Sequence, residues 1–92
     1  MTNQKLPVDQ IGRATTTTIS GFEFRFTGLK DGSPLWGVWL FGEQIATVLR
    51  GFVNYKVVGY EIAGTLRNGT SWSSSAITEA GVIEALRTRP IK

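Results

Sequence analysis

Cysteine and histidine are both absent from the 92 residues of this chain. The lack of cysteine excludes disulfide bonds, thiolate metal sites and cysteine nucleophiles. The lack of histidine removes the usual general base near neutral pH and the commonest metal ligand. We therefore expect no metal site and no cofactor. Small secreted domains usually carry disulfides, so the composition favours a cytoplasmic protein.

Long apolar stretches are absent as well. Residues 1–10 are polar and do not resemble a signal peptide. No window approaches the roughly 20 apolar residues that a membrane span requires, so no membrane association is expected. The length fits one domain, since domains run from about 50 to 250 residues. Residues 1–13 lack periodicity and are interpreted as a flexible N-terminal arm, followed by a single β-rich domain over residues 14–92.

The first half of the chain has the sequence pattern of antiparallel strands. A Thr-rich run at 15–19 favours a strand, and Ser20-Gly21 indicates a bend or bulge. Phe22, Phe24 and Phe26 then alternate with polar residues, which places the three rings on one buried face. Asp31-Gly32 predicts a hairpin turn that leads into an apolar strand over 35–41.

The second half predicts further strands and one helix. Gly42-Glu43 is interpreted as a turn, and residues 44–50, which fit either helix or strand, are taken as a strand. Along the run 51–66 the apolar residues switch midway from odd-numbered to even-numbered positions. A bulge near 57–59 would explain this switch. Asn68-Gly69 predicts a two-residue turn into a short strand at 70–73.

Capping residues mark a C-terminal helix. Ser75 or Thr78 can begin it, Glu79 suits its first turn, Arg87 and Arg89 lie near its end, and Pro90 stops it. The fold class is therefore α+β: an antiparallel sheet of about five strands with one C-terminal helix packed on a face. The predicted core consists of Phe22, Phe24, Phe26, Val38, Leu40, Tyr60, Ile62, Ile83 and Leu86.

No residue set in the sequence names a reaction. Four serines between residues 71 and 75 lack the histidine or Ser-x-x-Lys partner that a nucleophile needs, and they suit a polar loop and a helix cap. The seven carboxylates lie in different predicted elements, with no reason in the sequence to pair. The expected function is therefore binding rather than catalysis.

One segment begins like the third-strand motif of RNA-recognition domains, which stack bases on aromatic side chains. Arg50-Gly51-Phe52 fits that motif, but Val53 and Asn54 replace a small residue and an aromatic, and the β-α-β-β-α-β order is missing. The segment is therefore not assigned to that family. Its strand face, with Arg50, Phe52, Asn54 and Lys56, still suits a polynucleotide. The commoner explanation is an edge strand whose charges keep it soluble.

Three tryptophans offer further contact area. Trp36 and Trp39 lie on opposite faces of one predicted strand, so one of them belongs to the core. A two-residue turn at Asn68-Gly69 would pair Trp72 with Thr65. Trp72 would then lie on the face of the sheet opposite Leu66. Trp72 is then either an exposed interface anchor or packed under the helix, and the sequence leaves both open.

The formal charge of +3 favours acidic or phosphate-bearing partners. The first expectation is therefore a binder of nucleic acid or of a nucleoprotein complex, which neutralises phosphates and stacks bases. The candidate binding residues are Arg25, Arg50, Phe52, Asn54, Lys56, Arg67, Trp72, Arg87 and Arg89.

The alternative is a protein–protein inhibitor or adaptor that occludes a partner through Trp72 or a sheet edge. In profile the chain resembles small accessory proteins of phages and mobile elements, anti-CRISPR proteins among them, which are short, cysteine-free and without catalytic residues. No motif supports that likeness. A self-associating edge strand would make the chain a homodimer, and the sequence leaves this open.

Overall fold

The chain folds as a meander of antiparallel strands followed by one helix. The computed structural model describes residues 16–53, 57–66 and 68–90. The strands lie side by side in chain order, and each is antiparallel to its neighbours. The elements are β1 (Thr16–Ile19), β2 (Phe22–Lys30), β3 (Ser33–Leu40), β4 (Glu43–Val53), β5 (Val57–Thr65), β6 (Ser71–Ala76) and α1 (Glu79–Arg87).

The predicted antiparallel sheet and C-terminal helix are confirmed, and residues 44–50 form part of a strand as expected. The sheet has six strands, close to the predicted number of about five, and the α+β class is consistent with it. The run 51–66 is two strands, and Val53 pairs with Val57 across the reversal between them. The change in apolar parity therefore marks a hairpin and not a bulge. The segment 54–56 contains neither glycine nor proline, the strongest signals for a turn.

Three of the hairpins close through two-residue turns with positive φ at both positions, the geometry of type I′ turns. The predicted turn at Asp31-Gly32 is confirmed, with φ of 52° and 83°. Ser20-Gly21, expected to be a bend or bulge, is a hairpin turn of the same kind. The turn expected at Gly42-Glu43 lies one residue earlier, at Phe41-Gly42. Phe41 therefore does not belong to the strand predicted for 35–41.

Alternation along the strands separates a buried face, called here the helix face, from an outer face. Phe22, Phe24 and Phe26 are buried on the helix face, as predicted. At the centre of this core lies Trp36, whose ring centroid is 6.2 Å from that of Phe26 and 6.1 Å from that of Tyr60. The predicted core is confirmed except for Leu40, which is only half-buried. Trp36 is the core member of the Trp36 and Trp39 pair, and the other buried hydrophobic residues outside the predicted core are Ile19, Ala46, Val48 and Val82.

The helix begins and ends where its capping residues predict. Thr78 is the N-cap, and its Oγ1 accepts a hydrogen bond of 3.1 Å from the N–H of Gly81. Val82, Ile83 and Leu86 form the buried side of the helix. A hydrogen bond of 2.7 Å from the Tyr60 hydroxyl to Glu79 Oε1 joins the first turn of α1 to β5. No helix in the described part of the chain is long and apolar enough to cross a membrane.

The meander gives the sheet two distinct ends. One end carries the turns at 20–21 and 41–42 and the hairpin that joins β5 to β6, and is called here the Phe41 end. The last residues after α1 return to this end, since the Arg89 guanidinium lies 5.9 Å from the Phe22 ring. The opposite end carries the turn at 31–32 and the first turn of α1.

The raised pKa of Tyr60 predicts how the free energy of unfolding changes at alkaline pH. Burial, with smaller contributions from the hydrogen bond to Glu79 and from its charge, raises the pKa of Tyr60 from 10.0 to about 12. The unfolded chain therefore loses this proton first, so the stabilisation is complete below about pH 10 and is lost as pH rises towards 12. Tyr60→Phe lacks this titration and also lacks the hydrogen bond. We expect it to be less stable than the natural chain at pH 8, and the difference to shrink above pH 10.

Urea unfolding of both chains across this pH range measures the effect. A difference in unfolding free energy that stays constant from pH 8 to pH 12 would contradict the account of Tyr60.

Candidate functional site

Two adjoining cavities open at the Phe41 end of the sheet. The larger, of about 590 Å³, lies along β4, β5 and β6, and the smaller, of about 320 Å³, lies between the 41–42 turn and the residues that follow α1. Their linings share Gln44, Ile45, Thr65 and Trp72, but the larger cavity is lined also by Thr47, Ala63, Ser71 and Ser73, whose side chains lie on the outer face. We call the smaller cavity the Trp72 groove, defined by Phe41, Ile45, Leu66, Trp72, Arg89 and Pro90.

The position of Trp72 corrects an expectation from the sequence. Trp72 pairs with Gly64 and not with Thr65. The hairpin closes at Leu66, whose N–H donates to the Thr70 carbonyl at 2.7 Å, so three residues rather than two lie in the loop. A shift of one residue moves every side chain to the opposite face of a strand. Trp72 therefore lies on the helix face, half-buried against the core.

Gly64 is the reason that the Trp72 ring fits. A Cβ atom at position 64 would lie 2.5 Å from the carbonyl oxygen of Ile45 and 2.6 Å from the Trp72 Nε1. Both distances are shorter than real side chains tolerate. The indole therefore lies across the bare backbone of Gly64.

Phe41 is the most exposed large apolar side chain of the described residues, with 98% of its surface accessible. Its φ of 52° lies in the left-handed region, which is unfavourable for a bulky L-residue. Ser20 and Asp31 occupy the same position in the other two turns, and their short polar side chains are commoner there. An aromatic ring at this position contributes nothing to the core. Strain of this kind concentrates at functional sites.

Two predicted binding residues, Trp72 and Arg89, meet in the groove. Arg89 donates a hydrogen bond of 2.7 Å to the carbonyl of Leu86, at the end of the helix. Arg87 is exposed in the last turn of α1. These cations surround the helix C-terminus, where positive charge is electrostatically favourable.

Two other predicted binding residues lie elsewhere. Arg25 is on the outer face, where its guanidinium lies 4.2 Å from the Trp39 ring centroid and forms a salt bridge of 2.7 Å with Glu23. Arg50 is an exposed residue on the helix side of β4, where it pairs with Tyr60. The structure therefore separates Arg25 and Arg50 from each other and from the Trp72 groove.

The remaining predicted binding residues cannot be assigned to a surface. Asn54, Lys56 and Arg67 lie outside the described residues, and Phe52 is described only by its backbone pairing with Val58. Only five of the ten lysines and arginines, but six of the seven carboxylates, belong to the described residues. The described part of the chain is thus slightly acidic, and it contains no group of residues that could hold a metal ion.

Sequence reasoning missed most of the residues that line the groove, above all Phe41. The Phe41-Gly42 dipeptide could have indicated the turn. Glycine is favoured at the second position of a type I′ turn, and the residue before it then has positive φ. Ile45 lies in β4, whereas Leu66 follows β5 and Pro90 follows α1. Only the return of the chain to one end of the sheet brings them together.

Substitution of Gly64 tests the packing of Trp72. Gly64→Ala must displace the indole, so we expect a destabilisation of about 1–3 kcal/mol and a changed tryptophan fluorescence spectrum. Gly51→Ala is the matched control, because a Cβ atom at position 51 meets nothing within 4 Å. It should leave stability unchanged or raise it slightly. Equal unfolding free energies of the two variants in urea would show that Trp72 does not depend on Gly64.

Substitution of Phe41 tests the strain in its turn. Asparagine adopts positive φ more readily than phenylalanine, so Phe41→Asn should stabilise the chain by about 0.5–1 kcal/mol. Phe41→Ala removes the ring but keeps an ordinary L-residue, so it should give no comparable gain. Thermal and urea unfolding of the three chains measure this. A destabilised Phe41→Asn variant would mean that the ring supports the fold.

Comparison with protein-family models, with curated proteins and with solved structures found no match to this chain. No relative therefore suggests a function for the Trp72 groove.

Proposed function

We propose that this chain is a non-catalytic domain that binds a protein partner in the Trp72 groove and occludes the partner's working surface. The observation that carries the proposal is Phe41, an almost fully exposed aromatic ring held at positive φ beside the half-buried Trp72. The fold would be less strained with a small polar residue at this position. A contact with another molecule explains why phenylalanine is there.

The composition of the groove supports a protein as the partner. Tryptophan, phenylalanine and arginine are enriched among the residues that contribute most to protein–protein binding. In the smaller cavity these types occur together as Trp72, Phe41 and Arg89, with Leu40 and Ile45 as aliphatic neighbours. Gln44 and Glu43 add polar groups to the lining. An apolar centre with polar groups at its margin is the usual anatomy of a protein interface.

Binding of nucleic acid or of a nucleoprotein complex is the second proposal. This proposal is supported by the overall charge of +3 and by the cation–π contact of Arg25 with Trp39 on the outer face. Guanidinium and indole groups together can stack on bases. The salt bridge to Glu23 partly neutralises Arg25, however, and Glu61 lies on the same face of the sheet. We therefore rank this proposal below the first.

Two further parts of the proposal rest on composition. We propose that the chain is not an enzyme, because it lacks histidine and cysteine and its serines have no basic partner in the sequence. We also propose the cytoplasm as its location, because a chain without cysteine gains nothing from an oxidising compartment.

Affinity capture from the lysate of the native host, with nuclease added, tests the proposed function. The tagged natural chain should retain a defined protein partner after complete nuclease digestion, and Phe41→Asn should lose most of it. Since Phe41→Asn is expected to be the more stable protein, loss of the partner cannot be attributed to unfolding. Leu29→Asn is the matched control, because Leu29 is also exposed, at 66%, but lies at the opposite end of the sheet.

Two results would contradict the first proposal. Equal capture by Phe41→Asn and the natural chain would exclude the groove as the binding site. Loss of all partners on nuclease digestion, with binding that weakens steeply between about 50 and 200 mM salt, would favour the nucleic-acid proposal instead.

A further inference from the structure

Among the described elements, the backbone edge of β6 is unpaired on its outer side, while α1 packs against this strand. Within the described residues β6 pairs only with β5, and the register between them is continuous. Its six residues, Ser71 to Ala76, include no charge and no proline. Natural proteins usually protect an edge strand with lysine, proline, a bulge or a covering element, because its free backbone groups can pair with another strand. A neutral and regular edge is therefore suited to strand addition.

The hydrogen-bonding pattern shows which backbone groups are free. The hairpin closes with a hydrogen bond between Leu66 and Thr70. In an antiparallel pair, hydrogen-bonded and non-hydrogen-bonded residues alternate. The N–H and C=O groups of Ser71, Ser73 and Ser75 therefore point away from β5. No bond from these groups to another described element is present.

We infer that β6 pairs with the β6 strand of a second copy of this chain, in antiparallel orientation across a two-fold axis. In the register that uses every free group, Ser73 faces Ser73 of the copy, and Ser71 faces Ser75 of the copy. Each facing pair exchanges two backbone hydrogen bonds, so the junction contains about six of them. The two sheets then form one continuous sheet.

The side chains along β6 make a copy of itself a suitable partner. Ser71, Ser73 and Ser75 are exposed on the outer face, so serine meets serine and no like charges are opposed there. On the helix face, the same register places Trp72 beside Ser74 of the copy, which keeps the two indoles apart. The interface is self-complementary, as a two-fold axis requires.

The other edge of the sheet is a weaker candidate. β1 has four residues, and the Ser20-Gly21 turn leaves the backbone groups of Thr16 and Thr18 pointing outwards. It therefore offers two outward-facing residues where β6 offers three. Pairing of β1 with β6 of another copy would be a head-to-tail contact, which builds open chains of molecules rather than a closed dimer. The inference about β6 does not depend on the proposed function.

Sedimentation equilibrium of the purified chain tests the inference. A junction of one strand pair lies at the small end of protein interfaces, so we expect a weak, reversible dimer that is populated at about 100 µM. Ser73→Lys places two lysines opposite each other on the axis and should weaken the dimer by at least about fivefold. Thr18→Lys is the matched control on the β1 edge and should leave the dimer unchanged. A chain that stays monomeric at about 100 µM, or a dimer insensitive to Ser73→Lys, overturns the inference.

Cross-linking gives a test that does not require the interface to be broken. The natural chain has no cysteine, so Ser73→Cys introduces a single thiol. A short bismaleimide reagent should couple two copies of Ser73→Cys efficiently, and two copies of Thr18→Cys poorly. Equal yields from the two variants, or a higher yield from Thr18→Cys, would contradict pairing through β6. Circular dichroism of each variant establishes that it is folded.

Discussion

The fold depends on burying one face of a large sheet against a single helix of nine residues. Trp36, Phe24 and Ile62 all lie on that face, and each is almost completely buried. The helix packs mainly against β5 and β6, and the residues that follow it reach the ring of Phe22 near the other edge. The Thr78 cap and the hydrogen bond between Tyr60 and Glu79 hold its first turn in place. In the part of the chain that the structure describes, α1 is the only element outside the sheet that packs on this face.

The Trp72 groove follows from the limited length of that helix. The helix ends at Arg87, and Pro90 three residues later cannot extend it, so irregular backbone rather than helix lies beside the Phe41 end of the sheet. The side chains at that end, Ile45 and Trp72 among them, are only half-buried. Phe41 extends beyond them at the tip of its hairpin. Both edges of the sheet are also unpaired, since nothing in the described residues pairs with the outer side of β1 or β6.

Local patterns in the sequence predict much of this structure. The alternation of Phe22, Phe24 and Phe26, the Asp31-Gly32 turn and the Thr78 cap each act over a few residues, and all are confirmed. The hairpin between Val53 and Val57 was missed because its loop contains no glycine or proline. The predicted pairing of Trp72 with Thr65 was wrong, because one extra loop residue shifts the register of the strand by one position. The groove itself joins residues from separate elements, and no local pattern reveals such a meeting.

Protection of backbone amides from hydrogen exchange, measured with and without the captured protein partner, tests the central claim most directly. A partner bound in the Trp72 groove should protect residues 40–45, 65–66, 72 and 89, which line the groove and its margin. Protection confined to the outer face around Arg25 and Trp39, with the groove unchanged, would show that the partner binds elsewhere and that the exposure of Phe41 has another cause.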